Sequence, residues 1–215
     1  MLDISGATQI IAQGIYLVLF LIAMWGGFNV IMVWIRVSQK RFRSEQEQVE
    51  FMKELQPLMA EGNFNAAAKS LDGDMRAVPQ LSLMALRNRK LGYDHVRQLL
   101  MDRFQRDVLA DLEHRLSWVQ TVIKSAPMVG LFGTVMGMMG AFGKLAGKEN
   151  VNPDVLAGDI SIALVTTAAG LAIAIPLVLC IASINIRIRD LEYLVAVGLA
   201  QFLEMFRRSA EPSDG

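Results

Sequence analysis

The sequence has few of the residues that build covalent or metal-dependent sites. Its 215 residues include one cysteine, Cys180, and two histidines, His95 and His114. A disulfide within the chain is therefore excluded, and a metal site built from clustered His and Cys is not indicated. Both histidines stand alone in a polar helical stretch and are interpreted as surface residues. Since no nucleophile–base pattern appears either, the sequence predicts no enzyme, no metal and no cofactor.

The sequence also lacks an excess of charge of either sign. Lysine and arginine together number 21, and aspartate and glutamate also number 21. Nucleic-acid binding normally needs a basic excess or stripe, so the composition does not support it. Within residues 36–124 the charges are well mixed, which is typical of a solvated helical surface.

Three long runs contain no charged residue at all, namely residues 4–35, 125–143 and 160–186. About 20 apolar residues suffice for a helix to cross about 30 Å of hydrocarbon, so each run is predicted to span a lipid bilayer. Only Asp3, and no basic segment, precedes the first run, which argues against a cleavable signal peptide. A buried soluble helix is the alternative, and three such runs in one short chain disfavour it.

Basic residues flank the three runs unevenly. Of the 21 lysines and arginines, only Lys144 and Lys148 fall between the second and third runs. Basic loops tend to stay in the cytoplasm. We therefore expect a bacterial inner-membrane protein with its amino terminus in the periplasm and its carboxyl terminus in the cytoplasm.

These features predict an all-α membrane protein with three transmembrane helices, a helical cytoplasmic domain and long helices extending into the cytoplasm. Ser44 is expected to cap a helix that ends near Leu55, because Pro57 disturbs it. Further helices are expected over residues 94–124 and 159–208. The predicted order is a periplasmic terminus with the first transmembrane helix (1–35), a cytoplasmic domain (36–124), the second transmembrane helix (125–143), a periplasmic loop (144–159), the third transmembrane helix (160–186), and a cytoplasmic helix with a short polar tail (187–215).

Small residues recur on one face of the second run and on one face of the third. Glycine destabilises a helix, and close contact between helix backbones is the physical reason to use it repeatedly. Helix packing without an ion pathway is the simplest interpretation. The glycines expected to pack are Gly130, Gly133, Gly137, Gly140 and Gly170. Pro127 and Pro176 are expected to kink their helices rather than end them.

Three threonines, Thr134, Thr166 and Thr167, lie at membrane depth in these two runs. A membrane threonine usually bonds back to a carbonyl of its own helix. Two spans that each carry a hydroxyl on a small-residue face instead favour a polar strip that lines an ion route or receives a partner's polar group. No acidic, basic or histidine side chain lies within the runs. A partner would therefore have to supply the titratable group that a proton relay needs.

Asp159 stands at the outer start of the third run. We expect it to cap the third transmembrane helix, because a carboxylate is favourable at a helix amino terminus. A role at the entrance of an ion route is the alternative.

Two motifs in these runs resemble a known family. APMVGLFGTVMGM at residues 126–138 closely resembles the second-span motif of the ExbB/TolQ/MotA proton-channel family, and ALVTTAAGLAIAIP at residues 163–176 resembles its third-span motif. Three spans with a large first cytoplasmic loop are similar to the ExbB and TolQ branch. The resemblance implies a ring of five copies around a dimer of an ExbD- or TolR-like partner, whose transmembrane aspartate carries the proton past Thr134 and Thr167. A TonB- or TolA-like transducer would receive the work.

One position departs from the resemblance. ExbB and TolQ members usually carry a glutamate where this sequence has Ile162, and Asp159 is the residue expected to replace it at the mouth. The leading hypothesis is a motor subunit driven by the proton motive force. A sodium-driven member of the family and a non-conducting scaffold that docks cytoplasmic proteins are the alternatives.

Overall fold

The structure, a computed structural model, describes residues 4–146 and 153–210, and all regular structure there is helical. The first residues, the centre of the predicted periplasmic loop (147–152) and most of the polar tail (211–215) lie outside this range. The helices are α1 (Ile4–Lys40), α2 (Glu45–Ala60), α3 (Phe64–Leu71), α4 (Ala77–Arg87), a 3₁₀ turn (Arg89–Leu91), α5 (Tyr93–Arg103), a π-helical segment (Phe104–Leu109), α6 (Ala110–Ala146) and α7 (Pro153–Ala210).

The all-α prediction is confirmed, and three helical segments are long and apolar enough to cross a membrane. They are Gln13–Lys40, Tyr93–Gly143 and Leu156–Ser209. The second comprises α5, the π-helical segment and most of α6. The third lies within α7, which carries both the third apolar run and the polar residues that follow it.

The chain divides into two compact units. The span unit contains Met1–Met32 and Arg115–Ser183, and the helical unit contains Val33–His114 and Ile184–Gly215. The sequence placed residues 115–124 in the cytoplasmic domain. In the structure these residues pack with the apolar spans, because their buried side chains continue the apolar face of α6.

The span unit is held together by apolar side chains that pack closely where the neighbouring helix has a glycine. Val119, Val122 and Leu177 form its buried cluster. Gly26 in α1 lies directly against two of them: a Cβ atom there would be 2.8 Å from Val122 Cγ1 and 2.9 Å from Leu177 Cδ1. Glycine at position 26 lets α1 approach α6 and α7 this closely, because any larger residue would push the Val122 and Leu177 side chains aside.

The helical unit is organised around charged and capped groups. Ser44 Oγ accepts a hydrogen bond from Glu47 N and caps α2, as the sequence predicted. Arg76 reaches both Asp74 and Glu47, with Nη1 2.9 Å from Glu47 Oε1, and its guanidinium lies 4.1 Å above the ring of Phe42. Burial alone would raise the pKa of Asp74, but the hydrogen bonds and charge of Arg76 lower it below the ordinary value.

Several helix boundaries differ from the sequence prediction. α2 continues through Pro57 to Ala60 and so does not end near Leu55. Pro57 cannot donate a backbone hydrogen bond, but Leu55 and Met59 on either side of it are buried, and their packing favours a continuous helix. The helix predicted over residues 94–124 is interrupted by the π-helical segment at Phe104–Leu109.

The membrane-proximal boundaries also differ. α6 continues through Pro127, as expected of a proline that does not end its helix, but it extends to Ala146, beyond the predicted end of the span at residue 143. α7 begins at Pro153, with proline at its first position, where the missing N–H costs nothing. Helix therefore occupies both ends of the stretch 144–159 that was predicted as a loop.

Candidate functional site

The glycines of α6 allow the backbone of α7 to come into direct contact. A Cβ atom on Gly130 would lie 2.6 Å from the carbonyl oxygen of Thr166, and one on Gly137 would lie 2.6 Å from Ala163 Cβ. A Cβ atom on Gly133 would lie 2.6 Å from Thr166 Oγ1. The three glycines therefore form one row against the small-residue face of α7. We call this contact the glycine seam.

The remaining predicted packing residues extend the seam. A Cβ atom on Gly170 of α7 would lie 2.5 Å from the carbonyl oxygen of Ala126 and 3.2 Å from Pro127 Cα. Gly140 is buried on α6, one turn beyond Gly137. Pro127 and Pro176 both lie inside continuous helices. Each proline leaves one backbone carbonyl of its own helix without its usual donor.

The seam brings the predicted hydroxyls together. Thr134 Oγ1 and Thr167 Oγ1 are hydrogen-bonded to each other across the two helices. Thr134 Oγ1 also donates toward Ala163 O at 3.1 Å and toward Gly130 O at 3.3 Å. Thr166 Oγ1 donates toward Ala163 O at 2.7 Å and Gly130 O at 2.9 Å. We call these three hydroxyls and two carbonyls the hydroxyl cluster.

The three hydroxyls differ in exposure. Thr166 is 2% exposed and is enclosed by the seam. Thr134 and Thr167 are only partly buried, so each of these side chains leaves part of its surface outside the contact between the two helices. Each hydroxyl has one proton to donate and two lone pairs. The pair can therefore donate to a carboxylate, accept from a protonated carboxyl group or hold a cation, but it cannot itself carry a proton near neutral pH.

Asp159 does not cap α7, and the expectation that it does is wrong. The helix begins at Pro153, so Asp159 lies inside it, in its second turn. The side chain is half-buried. Asp159 and Thr167 are eight residues apart, which corresponds to about 12 Å along the helix axis. Asp159 thus belongs to the end of α7 that leads to the hydroxyl cluster without being part of the cluster.

One polar contact near the cluster was not anticipated from the sequence. Tyr16 in α1 donates its hydroxyl proton toward the carbonyl oxygen of Ile162, with 3.4 Å between the oxygens. α1 lies close to the seam here, because a Cβ atom on Gly133 would be 3.2 Å from Ile15 Cγ2. No periodic pattern in the first run singles out Tyr16, so only the packing reveals this contact.

No set of three or more His, Cys, Asp or Glu side chains within residues 4–146 and 153–210 could hold a metal ion. The oxygens that converge in the described part of the spans are those of neutral hydroxyls and backbone carbonyls. Fold and site together define a class: a three-span helical membrane protein with a hydroxyl cluster set between its second and third spans.

The chain belongs to the MotA/TolQ/ExbB proton channel family, whose model matches residues 75–196. This match confirms the resemblance recognised in the two motifs. It includes the whole glycine seam and all three hydroxyls, and it extends into both units.

Curated relatives agree with the family assignment. The Tol-Pal system protein TolQ of Haemophilus influenzae is 34% identical over 102 residues, which is 47% of this chain and 45% of the relative. A biopolymer transport ExbB homolog of Methanothermobacter thermautotrophicus is 29% identical over 174 residues, 80% of this chain and 60% of the relative. The biopolymer transport protein ExbB of Neisseria gonorrhoeae is 26% identical over 156 residues, 68% of this chain and 71% of the relative. The chain spans about half the length of the first two relatives.

Proposed function

We propose that this chain is the ring-forming subunit of an inner-membrane motor driven by the proton motive force. Several copies, five by the family resemblance, surround a single-span ExbD- or TolR-like partner. Ion flow through the ring is coupled to work on the cell envelope through a TonB- or TolA-like transducer. The names of the relatives, a Tol-Pal system protein and biopolymer transport proteins, support a load of one of these two kinds.

The observation that carries the proposal is the half-buried hydroxyl pair Thr134–Thr167, which lies in charge-free runs that contain no acidic, basic or histidine side chain. The pair lies where two helix backbones touch, so its position is fixed by the glycine seam. A charged carboxylate in an apolar surrounding is unfavourable unless donors are provided. A rigid pair of hydroxyls can provide such donors to a carboxylate that belongs to a partner.

Protonation of the partner's carboxylate would weaken its contact with the hydroxyl pair. The charged form would accept hydrogen bonds from the threonine hydroxyls as their protons turn away from each other and from the helix carbonyls, and hydrogen bonds to a charged group are worth about 1.5–3 kcal/mol. The neutral form loses most of that attraction. Uptake of a proton from one side and its release to the other would let the partner step from one subunit's pair to the next, which couples ion flow to relative rotation.

The distribution of basic residues supports the orientation. The amino terminus is proposed to face the periplasm, and both the helical unit and the carboxyl terminus the cytoplasm, since only two of 21 basic residues lie between the second and third spans. Asp159 then lies at the periplasmic end of α7, where a half-buried carboxylate would attract protons entering the route.

Valine substitution of the hydroxyl pair tests the proposal. Thr134→Val and Thr167→Val keep the shape of the side chain and remove only the hydroxyl. We expect the double variant, purified with its partner and reconstituted in vesicles, to lose proton flux by at least about tenfold, because tenfold corresponds to about 1.4 kcal/mol, less than one charge-assisted bond.

Thr121→Val is the matched control. Thr121 is an exposed threonine of α6 whose hydroxyl donates to Ser117 O of the same helix at 2.9 Å. We expect this variant to conduct like the wild type. Thr134→Ser, which keeps a hydroxyl where Thr134→Val removes it, should conduct protons like the wild type as well. A double valine variant that assembles and conducts at the wild-type rate would contradict the motor and favour a scaffold.

The oxygen set of the hydroxyl cluster also supports a second candidate, a sodium-driven motor. Hydrogen bonds link three hydroxyl and two carbonyl oxygens into one group. Oxygen donors of this kind suit hard cations. Vesicles carrying a sodium gradient and no proton gradient separate the two candidates. Ion flux under that condition would identify the sodium-driven motor, whereas flux only under a proton gradient would identify the proton-driven one.

A further inference from the structure

Thr166 has one hydroxyl proton and two acceptors within reach. Its Oγ1 lies 2.7 Å from the carbonyl oxygen of Ala163, in its own helix, and 2.9 Å from the carbonyl oxygen of Gly130, in α6. The side chain is 2% exposed, so the protein itself must supply the acceptor. Because a hydroxyl group donates one hydrogen bond, Thr166 can serve one of the two carbonyls at a time.

Thr134 shares both of these acceptors. Its Oγ1 is 3.1 Å from Ala163 O and 3.3 Å from Gly130 O. Hydrogen bonds between oxygens usually measure about 2.5–3.0 Å, so both contacts of Thr134 are long, whereas both contacts of Thr166 fall within that range. Thr166 is therefore the better donor to each carbonyl.

The two carbonyls have little capacity for further donors. Ala163 and Gly130 lie inside continuous helices, so each carbonyl oxygen also accepts a hydrogen bond from the backbone N–H four residues further on. A carbonyl oxygen has two lone pairs, which leaves room for one hydroxyl proton at each. When Thr166 donates to Ala163 O, Thr134 is left with the longer of its two contacts, to Gly130 O.

We infer that Thr166 is a positioning residue that keeps the proton of Thr134 available to a carboxylate of the partner. This inference rests on the proposed motor function. A membrane threonine usually bonds back to a carbonyl of its own helix, and a proton held in that way is not free to donate elsewhere. Thr166 occupies the shared acceptors from inside the glycine seam and so weakens back-bonding by Thr134. The proton of Thr134 is then directed to Thr167 or to a group outside the two helices.

The enclosed position of Thr166 suits an indirect role. A Cβ atom on Gly133 would lie 2.6 Å from Thr166 Oγ1, and one on Gly130 would lie 2.6 Å from the Thr166 carbonyl oxygen. Thr166 therefore acts on the donor strength of Thr134 through the acceptors that the two side chains share. The simpler alternative is that Thr166 only ties α6 to α7, and in that case the two hydroxyls would not influence each other.

A cycle of hydroxyl deletions in the chain alone provides the first test. Serine and alanine differ by one hydroxyl, so Thr134→Ser and Thr134→Ala are each combined with Thr166→Ser and Thr166→Ala. If the two hydroxyls compete for the same carbonyls, each compensates in part for the loss of the other. We expect the chain with both alanine substitutions to have a folding equilibrium constant in detergent at least about twofold below the value that the two single effects predict. Strictly additive effects would overturn the inference.

The charge state of the partner's carboxyl group provides the second test, in the complete complex. Its infrared absorbance, followed against pH, gives the pH at which half of these groups are charged. Without the hydroxyl of Thr166, Thr134 bonds back to its helix and donates less to the carboxylate. A carboxylate with weaker donors becomes charged only at higher pH, so the midpoint for Thr166→Ala should lie about half a pH unit above that for Thr166→Ser. Equal midpoints would overturn the inference.

Failure of the proposed function would give a different result. Tyr16 in α1 and Asp159 in α7 are titratable side chains near the cluster or on the route to it, and they are unchanged in every variant. If the midpoint did not move when Thr134→Val and Thr167→Val were combined, the hydroxyl pair would not donate to the partner, and the proposed function would be contradicted. The competition measured in the chain alone does not depend on that outcome.

Discussion

The span unit and the helical unit stabilise their polar groups by opposite means. In the span unit the three hydroxyls of the cluster bond to backbone carbonyls and to one another. In the helical unit Arg76 pairs with Asp74 and Glu47, and Arg41 pairs with Asp190 at 3.0 Å. Neutral groups can remain in apolar surroundings at low cost, whereas charged pairs are tolerated where water reaches them. The polar side chains of the span unit therefore suit the apolar surroundings proposed for it, and those of the helical unit suit water.

The two units also differ in how their helices make contact. The span unit brings backbones together at glycines, so its fit depends on the absence of side chains. The helical unit fixes its helices through side chains, such as the Ser44 cap of α2 and the stacking of Arg76 on Phe42. Added volume should therefore damage the span unit most, whereas loss of charge or of a cap should damage the helical unit.

The largest effect is expected from adding volume to the glycine seam. Gly130→Leu would force a side chain against the Thr166 backbone, which cannot move without separating α6 from α7. We expect a loss of about 3 kcal/mol or more in the free energy of unfolding in detergent, the upper end of overpacking penalties. Gly143→Leu on the same helix is the control, since nothing lies within 4 Å of a Cβ atom there. Similar losses in both variants would show that the seam is not the cause.

A smaller effect is expected from the charge network of the helical unit. The pKa of Asp74 is lowered in the folded protein below its ordinary value of 3.8. Its carboxylate therefore stabilises the fold above the ordinary pKa, and this stabilisation disappears as the pH falls through the lower folded value. Asp74→Asn should cost about 1.5 kcal/mol at pH 7. The substitution should also make the free energy of unfolding depend less on pH below about pH 4. Chemical unfolding measured from pH 7 to pH 2.5 tests both expectations.

The exposed Asp102 supplies the control substitution. Asp102→Asn should leave the stability at pH 7 unchanged, because this side chain faces solvent. If Asp74→Asn and Asp102→Asn lowered the stability at pH 7 equally, the Arg76 network would contribute nothing specific to the helical unit.

The smallest effect is expected from the cap of α2. Ser44→Ala removes the oxygen that accepts from Glu47 N at 3.2 Å and should lower stability by about 1 kcal/mol. Ser44→Asp keeps an acceptor at the cap and should restore stability. Thermal unfolding of the two variants compares them directly, and an alanine variant as stable as the aspartate variant would count against the cap.

Local patterns in the sequence predicted much of the site. The steps between glycines set which face of α6 could approach another backbone, and Thr134 and Thr167 sit on the facing surfaces. The Ser44 cap followed from a side-chain pattern only three residues long. Such features depend on residues one or two helical turns apart, so the sequence contains the information directly.

The remaining features depend on which distant residues pack together. The level at which α6 meets the other spans follows from the contacts of Val122 with Gly26 and of Ala126 with Gly170, and the charge-free runs give no sign of it. The early start of α7 at Pro153 placed Asp159 inside the helix, although its position before an apolar run had suggested a cap. The π-helical segment at Phe104–Leu109 likewise has no local signal.

Proton uptake by vesicles that contain the purified chain, alone or together with its single-span partner, tests the motor most directly. Since no side chain in the second and third charge-free runs can take up a proton near neutral pH, the chain alone should leave the vesicle interior at its starting pH when a potential is applied. Addition of the partner should start acidification, and replacing the transmembrane aspartate proposed for that partner with asparagine should stop it. Equal proton flux with and without the partner would contradict the account.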